Sequence, residues 1–238
     1  AVINEKLNAT AIESQVQLSQ SALARVHMII RLPADGGPGM DAEELQELIA
    51  ETVRTWNDRL RDALIEEHGE LDGRLSAEQY RDAFPAAYQE DTTAEGALDD
   101  IGQLNEVAPD GDKIAMRLAS GEGKTVHLRL FRAAARIVLS QALPILENMG
   151  FVIVSERPYR IAVSSGRPIW LQDFEMQRRD GGTINPATLG QRFTDTFSAV
   201  WTGRAENDGF NQLIVVTDLT WRQSSVLRAY CRYAIQTG

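Results

Sequence analysis

The stretch Ile114-Ala115-Met116-Arg117-Leu118-Ala119-Ser120-Gly121-Glu122-Gly123-Lys124-Thr125-Val126-His127-Leu128-Arg129-Leu130 decides how this chain folds. Its middle, Gly121-Glu122-Gly123-Lys124-Thr125, ends like a phosphate-binding loop, in which backbone amides and a lysine cradle nucleotide phosphates. That loop needs an earlier glycine at position 118, which is Leu118, and it opens a helix. Here Val126, Leu128 and Leu130 alternate with polar residues after the loop, as Ile114, Met116 and Leu118 alternate before it. Period-2 patterning on both sides of a short glycine-containing turn predicts a β-hairpin, not a nucleotide site.

Reading toward the C-terminus, a helix is expected from about Ala133 to Met149, carrying Ile137, Val138, Leu143, Ile145 and Leu146. Pro144 removes a backbone donor inside it, and Gly150 ends it. Phe151 to Ile161 and Ile169 to Met176 read as strands around the turn Ser164-Ser165-Gly166-Arg167. Leu189, Phe193, Phe197, Val200 and Trp201 mark an amphipathic helix, and Trp221 to Ile235 the last one. Toward the N-terminus, residues 10–32 read as two strands joined by Ser19-Gln20-Ser21. Asp41 followed by Glu44 is a capping box. One long helix is expected to follow it, with Leu45, Leu48, Ile49, Val53, Trp56, Leu60 and Leu64 on its apolar stripe and Gly69 as its stop. More helix is expected after Ser76 and over 94–106. The order predicts an α+β protein: antiparallel sheet with helices on one face, plus a C-terminal helical segment. Three segments follow: an acidic ββααα segment at 1–110, a ββαββ module at 111–183 and helices at 184–238. The two β-rich stretches can share a sheet or form two.

The chain has 238 residues, enough for one large domain or two small ones with a buried core. A single cysteine, Cys231, excludes an internal disulfide, and the sequence shows no leader and no apolar run long enough to span a bilayer. A cytoplasmic location is the resulting expectation. The net charge of −10 argues against nucleic acid and anionic membrane as partners. Charge is also divided unevenly: residues 1–110 hold 23 acids and 8 bases, residues 111–238 hold 11 acids and 16 bases. Halves of opposite sign can pack against each other or against other subunits, although a charged helix face is more often simply solvated.

Gly37-Pro38-Gly39-Met40-Asp41-Ala42 matches an alanine-ended dinucleotide fingerprint, but helix follows helix where a parallel strand is required. The loop remains a candidate small-anion or amino-acid site at a helix start, with Gly36, Gly37, Gly39 and Asp41 as its ligand-binding residues. His27, His68 and His127 have no metal-ligand spacing, and Glu43, Glu47 and Glu51 read as a solvated face. No metal site is expected. No nucleophile elbow or catalytic triad is present, so no catalytic residue is assigned. Trp56, Trp170, Phe193, Phe197, Trp201, Trp221 and Tyr230 are expected as core or interface anchors, chiefly core.

Four stretches carry a family resemblance: Ser19 to His27, Phe151 to Arg160, Trp170-Leu171-Gln172-Asp173-Phe174, and above all Leu227-Arg228-Ala229-Tyr230-Cys231-Arg232-Tyr233. Through them the whole chain resembles the non-catalytic N-terminal portion of the large bacterial NAD-dependent glutamate dehydrogenases. The resemblance implies ACT-like (ferredoxin-like) sheet modules joined by helical segments, and a chain that is an excerpt. It implies a regulatory and architectural role within a parent oxidoreductase of amino-acid catabolism that converts L-glutamate and NAD to 2-oxoglutarate and ammonia. The segment itself would be no enzyme and hold no cofactor, NAD belonging to the parent. Its partners would be the remainder of the parent chain and other subunits of a homo-oligomer, with an amino-acid effector possible. The alternative is a free-standing amino-acid-binding ACT-like sensor module.

Overall fold

The computed structural model describes residues 10–17, 25–31, 41–107, 113–164 and 166–237. The chain divides into two compact units, Ala1–Arg59 and Leu60–Gly238. In the first, β1 (Ala11–Gln17) and β2 (Arg25–Arg31) form an antiparallel pair with Ala11 opposite Arg31. The expected Ser19-Gln20-Ser21 connection lies outside the described residues.

Helix α1 (Ala42–Val53) starts on the expected capping box. Asp41 Oδ1 accepts the amides of Glu43 and Glu44, both at 2.9 Å, and Glu44 Oε2 accepts the Asp41 amide at 3.1 Å. The expected single long helix is instead two, because a second capping box interrupts it. Thr55 Oγ1 accepts the Asp58 amide at 3.1 Å, and Asp58 Oδ2 accepts the Thr55 amide at 3.0 Å. Those side-chain bonds replace the helical ladder at Thr55 and open α2 (Trp56–His68).

In the second unit α2 stops at Gly69, whose φ of 81° is left-handed backbone that glycine adopts without a Cβ clash. Helix α3 (Glu70–Gln79) then crosses α2 at Gly73, where a Cβ would lie 2.5 Å from Ile65 Cα and 2.6 Å from the Leu64 carbonyl oxygen. Short α4 (Ala86–Asp91) and α5 (Gly96–Val107) follow. Tyr80, Phe84 and Tyr88 stack in series and are buried.

The hairpin forms as expected, from β3 (Ile114–Ser120) and β4 (Thr125–Ala133). With β5 (Phe151–Ile161) and β6 (Ile169–Arg178) it makes a four-stranded sheet of order β3-β4-β6-β5, every neighbour antiparallel. This sheet is separate from the β1-β2 pair. Pro158 sits on β5, an edge strand, the place in a sheet where proline is tolerated.

Helix α6 is Leu139–Asn148, starting later than the expected Ala133. Ala133 still pairs with Ile169, Ala134 turns the chain at a φ of 67°, and the loop is then pinned by buried Gln172. The Gln172 amide accepts from the Ile137 N–H at 2.6 Å and donates to the Ile137 carbonyl at 3.1 Å.

Helix α7 (Pro186–Trp201) begins at the Asn185 cap with proline in its first turn. Leu118, Leu128, Phe174 and Met176 on one sheet face form a single core with Leu146 of α6 and Phe193 and Phe197 of α7. Phe151, Phe193, Phe197 and Trp201 make successive ring contacts of 5.5, 6.5 and 5.9 Å between centroids. Thus α6 and α7 cover one face, the α+β arrangement expected, and α5 lies in addition against β3 and β4 on the other. A 3-10 turn (Gly209–Gln212), α8 (Leu213–Val216) and α9 (Trp221–Thr237) complete the fold.

Phe193 and Phe197 are core, and Trp56, Trp170, Trp201 and Trp221 are half-buried. Tyr230 is 70% exposed and is not core. The reason is that α9 docks through the opposite side, at buried Ser224 and Arg228. Among the described residues no helix is long and apolar enough to cross a membrane.

Candidate functional site

Strand alternation places polar residues of the four-stranded sheet on the face away from the α6-α7 core. One cross-strand row reads Arg117, Arg129, Asp173, Arg157, and the next Ala119, His127, Glu175, Ser155. Two arginines directly opposite one another repel unless an anion joins them. Asp100 of α5 is that anion, with none of its side chain exposed. Its Oδ1 accepts from Arg117 Nη2 at 2.9 Å, and its Oδ2 accepts from Arg129 Nη1 and from the Tyr88 hydroxyl, the latter at 2.6 Å. Arg129 also donates to Asp173 Oδ2 at 3.1 Å and to Thr92 Oγ1 at 3.0 Å.

Around this centre, Asp91 of α4 accepts from Arg157 and from the Tyr159 hydroxyl, both at 2.6 Å. Arg117 reaches Asp99 at 3.0 Å, and His127 Nδ1 lies 2.8 Å from Asp173 Oδ1. An open polar cavity of about 640 Å³ lies over this face, with His127, Arg157, Asp173 and Glu175 among its walls.

Titration behaviour follows from the same contacts. Burial and the adjoining Asp100 carboxylate push the Tyr88 phenol far up, so it acts as a neutral donor. The Tyr159 hydrogen bond, with Arg157 beside it, holds Asp91 below the usual carboxylate range. The hydrogen bond to Asp173 raises His127 against the effect of its own burial. Burial alone would lower Arg129, but Asp100 and Asp173 outweigh it and keep the guanidinium charged. The arrangement is a bridge of paired charges within the second unit: acids of the helical stretch 91–100 are bonded to arginines of the sheet.

Of the residues predicted to bind a ligand, Gly36, Gly37 and Gly39 lie outside the described residues. Asp41 is described, and its Oδ1 is occupied in capping α1. The Gly121–Thr125 loop closes the hairpin through Thr125 N–H to the Glu122 carbonyl, and Lys124 Nζ donates to the Gly181 carbonyl at 2.9 Å. His27 and His68 are exposed, as are Glu43 and Glu47. Among the described residues no three His, Cys, Asp or Glu side chains converge as a metal site. Sequence reasoning passed over Tyr88, Asp100, Arg129 and Asp173. The available signal was charge at alternate strand positions, His127 with Arg129 and Asp173 with Glu175, flanked by Leu128 and Phe174.

Four family models match the chain in succession. They are the glutamate dehydrogenase ACT2 domain over residues 1–57, helical motif 2 over 63–107, the ACT3 domain over 113–189 and helical motif 3 over 205–238. The NAD-specific glutamate dehydrogenase of Halomonas elongata is 38% identical over 98% of this chain. Those of Pseudomonas aeruginosa and Mycobacterium tuberculosis are 34% and 32% identical over 99% and 100% of it. The chain spans only 14%, 15% and 16% of these relatives, in the same order. Matched along most of its length by consecutive models of one family, the chain belongs to the glutamate dehydrogenase family, as a segment running from the ACT2 domain to helical motif 3.

Proposed function

We propose that this chain is a regulatory and architectural segment of a large NAD-dependent glutamate dehydrogenase and acts by packing, without chemistry of its own. In this reading the whole enzyme oxidises L-glutamate with NAD to 2-oxoglutarate and ammonia in the cytoplasm, and its NAD is held outside these residues. The segment contacts the remainder of the parent chain and the other subunits of a homo-oligomer. Its working parts are the acidic stretch 1–110, the ACT-like module 111–183 and the helices 184–238.

The observation that supports this reading best is the Asp100 bridge. A buried carboxylate bonded to Arg117, Arg129 and Tyr88 makes the helical stretch and the sheet one mechanical piece. The acids and bases there are already committed to partners within the fold: Asp91, Asp100, Asp173 and His127 to the arginine and tyrosine network, and Glu175 to the Ser155 hydroxyl at 2.9 Å. Regulation through such a piece requires a ligand or contact that favours one arrangement of the segment over another.

The test is glutamate-dependent NADH formation by the isolated chain, with the parent enzyme as positive control. No NADH above background is expected, and turnover by the chain alone would refute the proposal. A thermal-shift series with amino acids, 2-oxoglutarate, NAD and NADH accompanies it, since a ligand of the folded state raises apparent stability by mass action. Saturable stabilisation by an amino acid would replace the architectural reading with that of a sensor module.

A further inference from the structure

Helix α9 carries an apolar stripe that the body of the chain leaves bare. Val226, Leu227, Tyr230 and Tyr233 follow three- and four-residue steps along one side and are 55%, 42%, 70% and 66% exposed. The opposite side holds the helix in place. Arg228 is 4% exposed and donates to both Asp208 carboxylate oxygens, at 2.6 and 2.8 Å, and to Asn211 Oδ1 at 3.0 Å. That buried ion pair fixes which side faces outward. Two turns past Arg228 on the same side, Ile235 is 82% exposed, so the last turns of α9 stand clear of the body. A bare helical end of this length is marginal in water without tertiary packing.

We propose that the outer side of α9 seats an amphipathic helix from the remainder of the parent polypeptide, with an aliphatic face and an acidic flank. This rests on the reading of the chain as a segment of a larger enzyme. Three observations select that occupant. Periodic apolar residues on a helix pack into the grooves of a second helix. With an aromatic side chain worth roughly 200 Å², the two tyrosines expose roughly 300 Å² and the whole stripe on the order of 450 Å², short of the roughly 800 Å² per partner of a stable independent interface. It therefore suits a tethered partner, whose effective concentration is high, better than a free second copy. The matched relatives supply such tethered chain, since 84–86% of their length lies beyond this segment. As to charge, α9 contains three arginines and no acid. Arg228 and Arg232 are turned to Asp208 and Glu206, which leaves Arg222, lying 4.4 Å over the Trp221 ring, beside the stripe for an acidic flank to meet.

The test is hydroxyl-radical footprinting of Tyr230 and Tyr233 in the isolated chain and in the full-length parent enzyme. Modification severalfold slower in the parent is expected, with the radical dose in the two samples equalised by an added dosimeter. Equal modification of both tyrosines in chain and parent would overturn the proposal. A photo-crosslinking residue at position 230 in the parent then identifies the occupant: a crosslink within the same polypeptide is expected, and one solely to another subunit would overturn it. Concentration-dependent dimerisation of the isolated chain that Tyr230→Ser with Tyr233→Ser abolishes would also overturn it, in favour of a second copy. These outcomes are independent of NADH formation by the isolated chain, so either proposal can fail alone.

Discussion

Asp100 shows how one buried side chain carries a disproportionate load. Its carboxylate keeps Arg117 and Arg129, opposed in the strand register, from repelling each other. Asp100→Asn leaves two arginines without their shared anion, and breaking a buried pair from one side costs ~3–5 kcal/mol. Urea unfolding should show that loss, and a change within experimental error would mean that the bridge does not hold the segment together. His127 predicts a pH dependence of definite sign. Its pKa is raised above 6.5 in the folded chain by Asp173, so its stabilising contribution is complete below 6.5 and is lost as pH rises through the folded value. Stability should fall across that window, and His127→Gln should flatten the profile; an unchanged slope in the variant would show that another group titrates. At the residue scale the sequence showed which positions were charged. It could not show that Asp100 and Arg129, 29 positions apart, would meet.

Element boundaries obeyed local chemistry where that chemistry was complete in the sequence. The capping box of Asp41 and Glu44 and the hairpin turn at Gly121–Lys124 were legible because neighbours within a few positions supply every bond. Thr55 and Asp58 supply the same kind of signal, and the apolar periodicity running through them masked it. The start of α6 was not legible, because it depends on Gln172, which lies on another strand. Gly73 belongs to this scale too. Helices α2 and α3 approach so closely there that a methyl group would meet backbone, which cannot rotate aside. Gly73→Ala should destabilise by the ~1–3 kcal/mol typical of overpacking, despite alanine's higher helix propensity. A chemical denaturation curve displaced to higher urea would show that the crossing has room to spare.

On the scale of the whole chain, burial separates the aromatic residues into two classes that composition treats alike. Phe197, on the sheet-facing side of α7, is fully buried, and Phe197→Ala should cost ~3–5 kcal/mol. Tyr230→Ser combined with Tyr233→Ser should leave the isolated chain's stability within ~0.5 kcal/mol per site, because exposed side chains contribute little to folding. Calorimetry of the two variants checks the contrast, and a large loss in the tyrosine pair would place α9 in the fold's own core. The sequence by itself determined the succession of strands along the chain, the hairpin in place of a nucleotide loop, and the family. Those depend on periodicity, turn residues and local motifs, which act over a few positions. Only the tertiary structure decided that the β-rich stretches form separate sheets, that acids at 91–100 join arginines of the sheet, and that Tyr230 faces outward. Each of those depends on contacts between residues far apart in the chain, whose meeting is set by the packing of layers and not by any neighbour in sequence.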